Sequence, residues 1–358
     1  MSDSRYPLEI VKAAEFIRPQ GAGGSKPLLL RLEDGRIVHV KFQHNPQTTR
    51  SLCSDLIGTL LGHALGVPVP EVVLVDVSWD QLREMPYLTK YRWQPGLQFG
   101  TLYIAEARSL KRTDRIDDLS NWSQLPLCAL FESWLYNRDV KFSHILRIPQ
   151  GPSSQFIIID HGFIFPGGPL WSIESLRRYR RQFPLPSPLT AIAEDIPYRL
   201  TFDSALNKMQ SLTSWDLREI VNTVPKQWGL SAERKEAIVE FLTYRQKKLE
   251  KVAQHLEWLY NHNKSFKEVV PIKDAPVESP SLSAQEDFDS HPPQKDTDSD
   301  LNLNPSQNDE SYALTEHNEK ALPPSDMNTH NQEHTDEEII ASTPVKGVST
   351  DHGEQESD

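Results

Sequence analysis

Asp139 and Asp160, 21 positions apart, are the residues whose surroundings point most directly to chemistry. Asp139 lies in the polar stretch Asn137-Arg138-Asp139-Val140-Lys141-Phe142-Ser143-His144, just after an apolar helical run. Asp160 ends Ile157-Ile158-Ile159 and is followed by His161-Gly162. A carboxylate in a loop after a helix and a second one at the end of a buried strand can meet at one site. Phosphoryl transfer needs such a pair: one accepts a hydroxyl proton or orients the nucleophile, and the other holds a metal ion. Lys141, two residues after Asp139, can neutralise charge on a moving phosphoryl group. The competing reading is structural, with one Asp capping a turn and the other closing a strand.

Two upstream features give this pair a context. In Val38-His39-Val40-Lys41-Phe42, strand alternation puts Val38, Val40 and Phe42 on one face and His39 with Lys41 on the other. Alone, Lys41 reads as a solvated edge charge. It gains interest because Asp55 follows on a helix after one short loop, and a strand lysine held by a helix acid is how kinase folds fix the amine that grips nucleotide phosphates. Gly21-Ala22-Gly23-Gly24-Ser25, before the preceding strand, would let backbone N–H groups approach a phosphate. It also reads as a plain surface loop, and it is no Walker A, since no Gly-Lys-Ser/Thr ends it and no helix follows.

The elements that must position these residues are legible in outline. Leu28 to Leu32 and Ile37 to Phe42 read as strands around the turn Glu33-Asp34-Gly35-Arg36. A helix is expected from Thr48 to Leu65, with Leu52, Leu56, Leu60 and Ala64 on one stripe and Gly66 as a left-handed cap. Glu71 to Val77 is strongly β-prone. Helix is expected again from Gln124 to Tyr136, then short strands around His144 to Arg147 and Phe156 to Ile159. Further helices are expected over Ile173 to Arg181, Ser204 to Met209 and Ser214 to Thr223, and a long one from Ser231 to about Tyr260. The fold class is therefore α+β, a small β-rich part followed by a larger, mainly helical one.

Charge divides the chain differently from length. The 358 residues carry a formal net charge of -12. From Ser265 onward there are 22 Asp and Glu against 5 Lys, whereas the residues before it hold 33 Lys and Arg against 28 Asp and Glu. The tail, with Ser279-Pro280-Ser281, His291-Pro292-Pro293 and Leu322-Pro323-Pro324-Ser325, has too little apolar surface to offset the entropy of ordering, so 265–358 is expected to be disordered. It solvates the chain or contacts a basic partner. The mildly basic remainder suits an anionic ligand, and no direct nucleic-acid signature is present. Trp171 to Arg181 concentrates Arg177, Arg178, Arg180 and Arg181 on a short helix, either a solvated face or a dock for an anionic partner or the acidic tail. Cys53 and Cys128 lie in apolar runs and read as buried thiols of a reducing compartment. No signal-like start and no membrane-length apolar run is visible, so a cytoplasmic location is expected. His255 and His262 show no metal-ligand spacing.

Taken in order, Gly23-Gly24-Ser25-Lys26-Pro27, Val40-Lys41-Phe42, Leu65 to Glu71, Pro95 to Gly100, Trp134-Leu135-Tyr136-Asn137-Arg138-Asp139 and Ile159-Asp160-His161-Gly162 resemble the HipA-like kinase family. The resemblance spans roughly residues 10 to 260 and implies a protein-kinase-like bilobal fold. Residues 1–100 would form a nucleotide-covering N-lobe and 101–264 a helical C-lobe with the catalytic and metal loops. It implies ATP with Mg²⁺, Mn²⁺ being the alternative ion, and transfer to a hydroxyl of an unknown protein or small-molecule acceptor. By position, Lys41 would grip the phosphates, Asp139 act as catalytic base, Asp160 hold the metal and Gly23-Gly24-Ser25 cover the phosphates. Two departures stand out. His144 occupies the place of an Asn that serves the family as second metal ligand, and magnesium takes imidazole poorly. Asp55 stands where Glu is usual. The alternative is a catalytically dead pseudokinase that works as a nucleotide-gated interaction module.

Overall fold

The computed structural model describes residues 5–262 except 22, 115 and 117. The expected disordered tail lies outside the described residues. Strand β1 (Ile10–Pro19) leads into β2 (Leu28–Leu32) and β3 (Ile37–Lys41), then α1 (Thr48–Leu65), β4 (Val72–Val77), the short helices α2 (Trp79–Arg83) and α3 (Leu88–Tyr91), and β5 (Gly96–Leu102). The five strands close into a barrel in the order β1-β2-β3-β5-β4. Every pairing is antiparallel except the closing one, where β1 runs parallel to β4 with Ile10 opposite Leu74.

Period-two alternation fills this barrel. Leu28, Leu30 and Leu32 on β2, Val38 and Val40 on β3, then Phe42, and Val73, Val75 and Val77 on β4 pack into one buried cluster. Trp93 plugs it, its ring stacked on Phe42 at 4.2 Å. The same alternation leaves Lys41 on the other face, as the sequence requires.

The chain continues through β6 (Arg108–Ser109), α4 (Leu125–Leu135), β7 (Ile145–Gln150) and β8 (Ser153–Ile158), which form a three-stranded sheet in the order β6-β7-β8. Helices α5 (Ile173–Tyr179), α6 (Ser187–Asp195), α7 (Asp203–Ser211), α8 (Ser214–Asn222), α9 (Ala232–Gln246) and α10 (Leu249–Asn261) complete the described part. Helix α1 joins the two layers: 13 of its 18 residues are buried, and its Leu52, Leu56 and Leu60 belong to the large helical core. Gly66 caps it at φ 72°, in the left-handed region that glycine enters without penalty.

Several expected bounds move. The long helix from Ser231 breaks at Lys247 and Lys248 into α9 and α10, with Ser231 capping α9 through a bond from the Arg234 N–H. The helix expected to reach Arg181 stops at Tyr179. Among the described residues no helix is long and apolar enough to cross a membrane.

Candidate active site

A cleft of about 380 Å³ opens between the barrel and the β7–β8 hairpin. Gly23, Gly24 and Ser25 line one side, Lys41, Asp55 and Asp160 the polar floor, and Phe99, Leu102, Leu146 and Ile157 an apolar wall. The glycines belong to a tight turn joining β1 to β2, closed by bonds from Lys26 N–H to Gly23 O (3.0 Å) and Gln20 N–H to Pro27 O (2.9 Å).

Lys41 Nζ donates to Asp55 Oδ2 and to Asp160 Oδ1, both at 2.9 Å. The strand thus delivers its amine to a carboxylate from α1 and to one from the loop after β8. Burial opposes the charge on Lys41, but Asp160 and then Asp55 hold the amine above its ordinary range. Burial dominates at Asp55, which is pushed up to about 6 although Lys41 pulls the other way. Burial also acts to raise Asp160, but Lys41, followed by His144, holds it well below the usual carboxylate range. Asp160 is therefore the permanent anion of the pair. It sits at φ 67°, a left-handed conformation uncommon for a non-glycine residue and typical of functional loops.

Two glycines allow α1 to lie directly on this loop. A Cβ at Gly58 would fall 2.5 Å from His161 Cβ, and one at Gly162 would fall 2.7 Å from Ser51 Oγ and 3.0 Å from Asp55 Oδ2. Either addition would force the loop and helix apart and draw Asp55 off Lys41.

The Asp139 loop stands at the edge of the cleft. Asp139 Oδ1 pairs with Lys141 Nζ at 2.6 Å, and its backbone N–H donates to Asn137 Oδ1 at 3.0 Å. Neither Asp139 nor Lys141 lines the cleft, but both act electrostatically on His144, so they lie beside it. His144 Nε2 is 3.6 Å from Asp160 Oδ2, too far for a hydrogen bond, and His144 Nδ1 is buried without a partner. Burial first, with the Lys141 and Lys41 charges, lowers the His144 pKa against the opposing pull of Asp160 and Asp139, which favours the neutral ring at neutral pH.

A carboxylate oxygen and a neutral imidazole nitrogen thus face each other with no shared proton, an arrangement that fits two ligands of one divalent ion. No group of three or more His, Cys, Asp or Glu side chains is assembled for a metal among the described residues. Phosphate oxygens and water would have to complete the shell, as is common for magnesium bound together with a nucleotide. Imidazole suits Mn²⁺ better than Mg²⁺.

Sequence reasoning missed the residue that ties the two acidic loops together. Glu132, on α4 and 2 % exposed, accepts a bond from Asn137 Nδ2 at 2.7 Å and approaches His161 Nε2 at 3.3 Å. The only charged residue in the apolar run Leu125–Leu135 was the available signal. Arg245 was missed as well. Fully buried on α9, it donates to the Ser133 and Trp134 carbonyls at the end of α4.

A family model described as HipA-like kinase matches residues 13–262. The chain belongs to the HipA-like kinase family. Nucleotide and divalent-metal use is general to such kinases, and the protein-kinase-like fold expected above goes with the family. No curated protein sequence matches the chain. Solved structures similar at low identity include the following three. The proinflammatory kinase CtkA of Helicobacter pylori is 12 % identical, with 70 % of this chain and 98 % of that one covered at a TM-score of 0.45. Hydra Fam20 with sugar is 13 % identical, with 71 % and 88 % covered at 0.41. HipA of Shewanella oneidensis MR-1, in its toxin-antitoxin complex with HipB and operator DNA, is 10 % identical, with 66 % of each chain covered at 0.30. The family assignment rests on the match over residues 13–262, not on these distant likenesses.

Proposed function

We propose that this chain is an ATP-dependent phosphotransferase acting on a hydroxyl of a protein or small molecule. The observation that carries the reading is Lys41, held at 2.9 Å by both Asp55 and Asp160 across the cleft from the Gly23-Gly24-Ser25 turn. An amine fixed by two carboxylates cannot rotate away, so it presents its positive charge to phosphate oxygens without further ordering. The glycine turn covers those phosphates with backbone N–H groups, and the apolar wall takes the base. Asp160, with His144 beside it, holds the divalent ion, which when bound neutralises phosphate charge. Asp139 accepts the proton of the acceptor hydroxyl, and Lys141, now paired with Asp139, steadies the negative charge on the group in transit. In this reading residues 1–100 form the nucleotide-covering lobe and 101–264 the lobe with the catalytic and metal loops.

His144 favours a second reading. An imidazole in place of an oxygen ligand weakens magnesium binding, and a chain that binds nucleotide without turning it over would be a nucleotide-gated interaction module. Labelled ATP separates the two. With Mg²⁺ or Mn²⁺, the full chain should transfer the terminal phosphoryl group, and Asp139→Asn should cut the rate by about 10²-fold or more. ATP binding without transfer under either metal favours the second reading.

A further inference from the structure

The basic stretch at the end of α5 is left unused by phosphoryl transfer, yet it is anchored beside the catalytic loop. The buried Arg245 guanidinium donates to the Ser133 and Trp134 carbonyls at 2.6 Å each, to the Arg180 carbonyl at 3.2 Å and to the Gln182 carbonyl. One planar group therefore holds the stem of the Asp139 loop and the arginine stretch together. Tyr136, three residues before Asp139, donates its hydroxyl to Gln182 Oε1 at 3.2 Å, and its ring lies 6.0 Å from that of Tyr179.

Arg138, Arg177, Arg178 and Arg180 are exposed, and none forms an ion pair among the described residues. Arg180 covers the Tyr244 ring at 4.4 Å, which brings the end of α9, with Lys247 and Lys248, onto the same surface. Glu174 is the only acid on α5. A positive surface thus flanks the group read as the catalytic base.

We propose that this surface docks residues 286–300 of the same chain and presents Thr297 or Ser299 to Asp139 as phosphoacceptor. The acceptor half of this inference rests on the kinase reading above. Residues 286–300 carry six acids against one lysine, and Asp296, Asp298 and Asp300 bracket the two hydroxyls. Thr297 lies only 35 positions after His262, the last described residue. Such a length spans at most about 120 Å, against a radius of gyration of about 18 Å for a domain of this size, so no part of the surface is out of reach. Tethering raises the local concentration of the segment to on the order of millimolar, which favours it over a free polyanion such as nucleic acid. In the transfer, the terminal phosphoryl group of ATP leaves the oxygen that bridges it to ADP and bonds to the side-chain oxygen of Thr297 or Ser299. The hydroxyl proton passes to Asp139, and ADP departs.

Docking is tested in the full chain without reference to activity. Carbodiimide joins carboxylates to lysines that touch, so peptide mapping should find Lys247 or Lys248 bonded to acids of 286–300. These bonds should vanish at about 0.5 M salt, where charges are screened beyond about 4 Å, and in Arg177→Glu/Arg178→Glu/Arg180→Glu. Their absence in wild type, or their persistence in the charge-reversed variant, overturns the proposal. So does their displacement by a short oligonucleotide at concentrations below one per chain, which would assign the surface to nucleic acid.

The second arm adds ATP with Mg²⁺ or Mn²⁺. Phosphate on 286–300 should fall at least tenfold in the same variant while the ATP-induced melting shift is kept. A melting shift with no phosphate on 286–300 overturns the acceptor role and leaves docking standing. No melting shift at all refutes the kinase reading, and the cross-links then decide docking alone.

Discussion

Replacing Asp55 by Asn should make the protein more stable at neutral pH while impairing its site. Asp55 is 1 % exposed, and burial pushes its carboxyl from the ordinary 3.8 to about 6 even with Lys41 at 2.9 Å. Below about pH 4 folded and unfolded chains both hold the proton, and the group costs nothing extra. As pH rises towards 6 the unfolded chain releases its proton first, so stability falls with pH across that window. At about 1.4 kcal/mol per pH unit, the distance from 3.8 to about 6 amounts to about 3 kcal/mol. Asn fills the same volume and has no charge to desolvate. The Asp55→Asn variant should therefore match wild type near pH 4 and gain on it by up to about 3 kcal/mol at pH 7, or roughly 6–12 °C in melting temperature for a domain of this size. Lys41 would retain only Asp160, so nucleotide-dependent stabilisation should shrink in the same variant. Urea unfolding at about pH 4.5 and about pH 7.5 reads the difference directly. An Asp55→Asn protein less stable than wild type by more than about 1 kcal/mol at the higher pH would mean that the ionised pair stabilises the fold and that the desolvation argument is wrong.

Two further outcomes follow from the same geometry. His144→Asn supplies an oxygen ligand beside Asp160 and should raise turnover with Mg²⁺ on the order of tenfold, about 1.4 kcal/mol of barrier, while wild type works better with Mn²⁺; a fall in turnover would give His144 a role of its own. Glu132→Gln leaves one oxygen where Asn137 and His161 approach two, at a cost of about 1.5–3 kcal/mol in stability, and should lower turnover of the folded protein on the order of tenfold with ATP affinity kept, since it disturbs the register of the two loops and not the floor of the cleft. A melting change with turnover intact would make Glu132 a core residue only.

The parts of the site readable in advance were those governed by short-range pattern. Alternation on β3 turned Lys41 away from Val38 and Val40, and Asp55, on the helix that follows after one short loop, meets it. Asp160 followed from a buried strand that ends in a charge. What could not be read depends on contacts between distant elements. Glu132 looked like one polar residue in an apolar helix until Asn137 and His161 were placed around it. Gly58 carries no local signal of its role, and only the position of His161 shows why no Cβ fits there. Arg245 interrupts the apolar pattern of α9, and its carbonyl partners lie more than 60 residues away. The break at Lys247 and Lys248 was invisible because the residues on both sides favour helix, so composition predicts one rod where packing makes two. The closure of the barrel by a parallel β1–β4 pair has no local signature either.

Isothermal titration of ATP into the full chain, with and without Mg²⁺ or Mn²⁺ and beside Lys41→Ala, tests the central claim most directly. Saturable, metal-dependent heat in wild type is expected, with affinity at least tenfold weaker, about 1.4 kcal/mol, in a Lys41→Ala protein shown by its melting curve to be folded. No binding at millimolar ATP under either metal, or unchanged affinity in Lys41→Ala, would contradict a nucleotide site built on Lys41, Asp55 and Asp160.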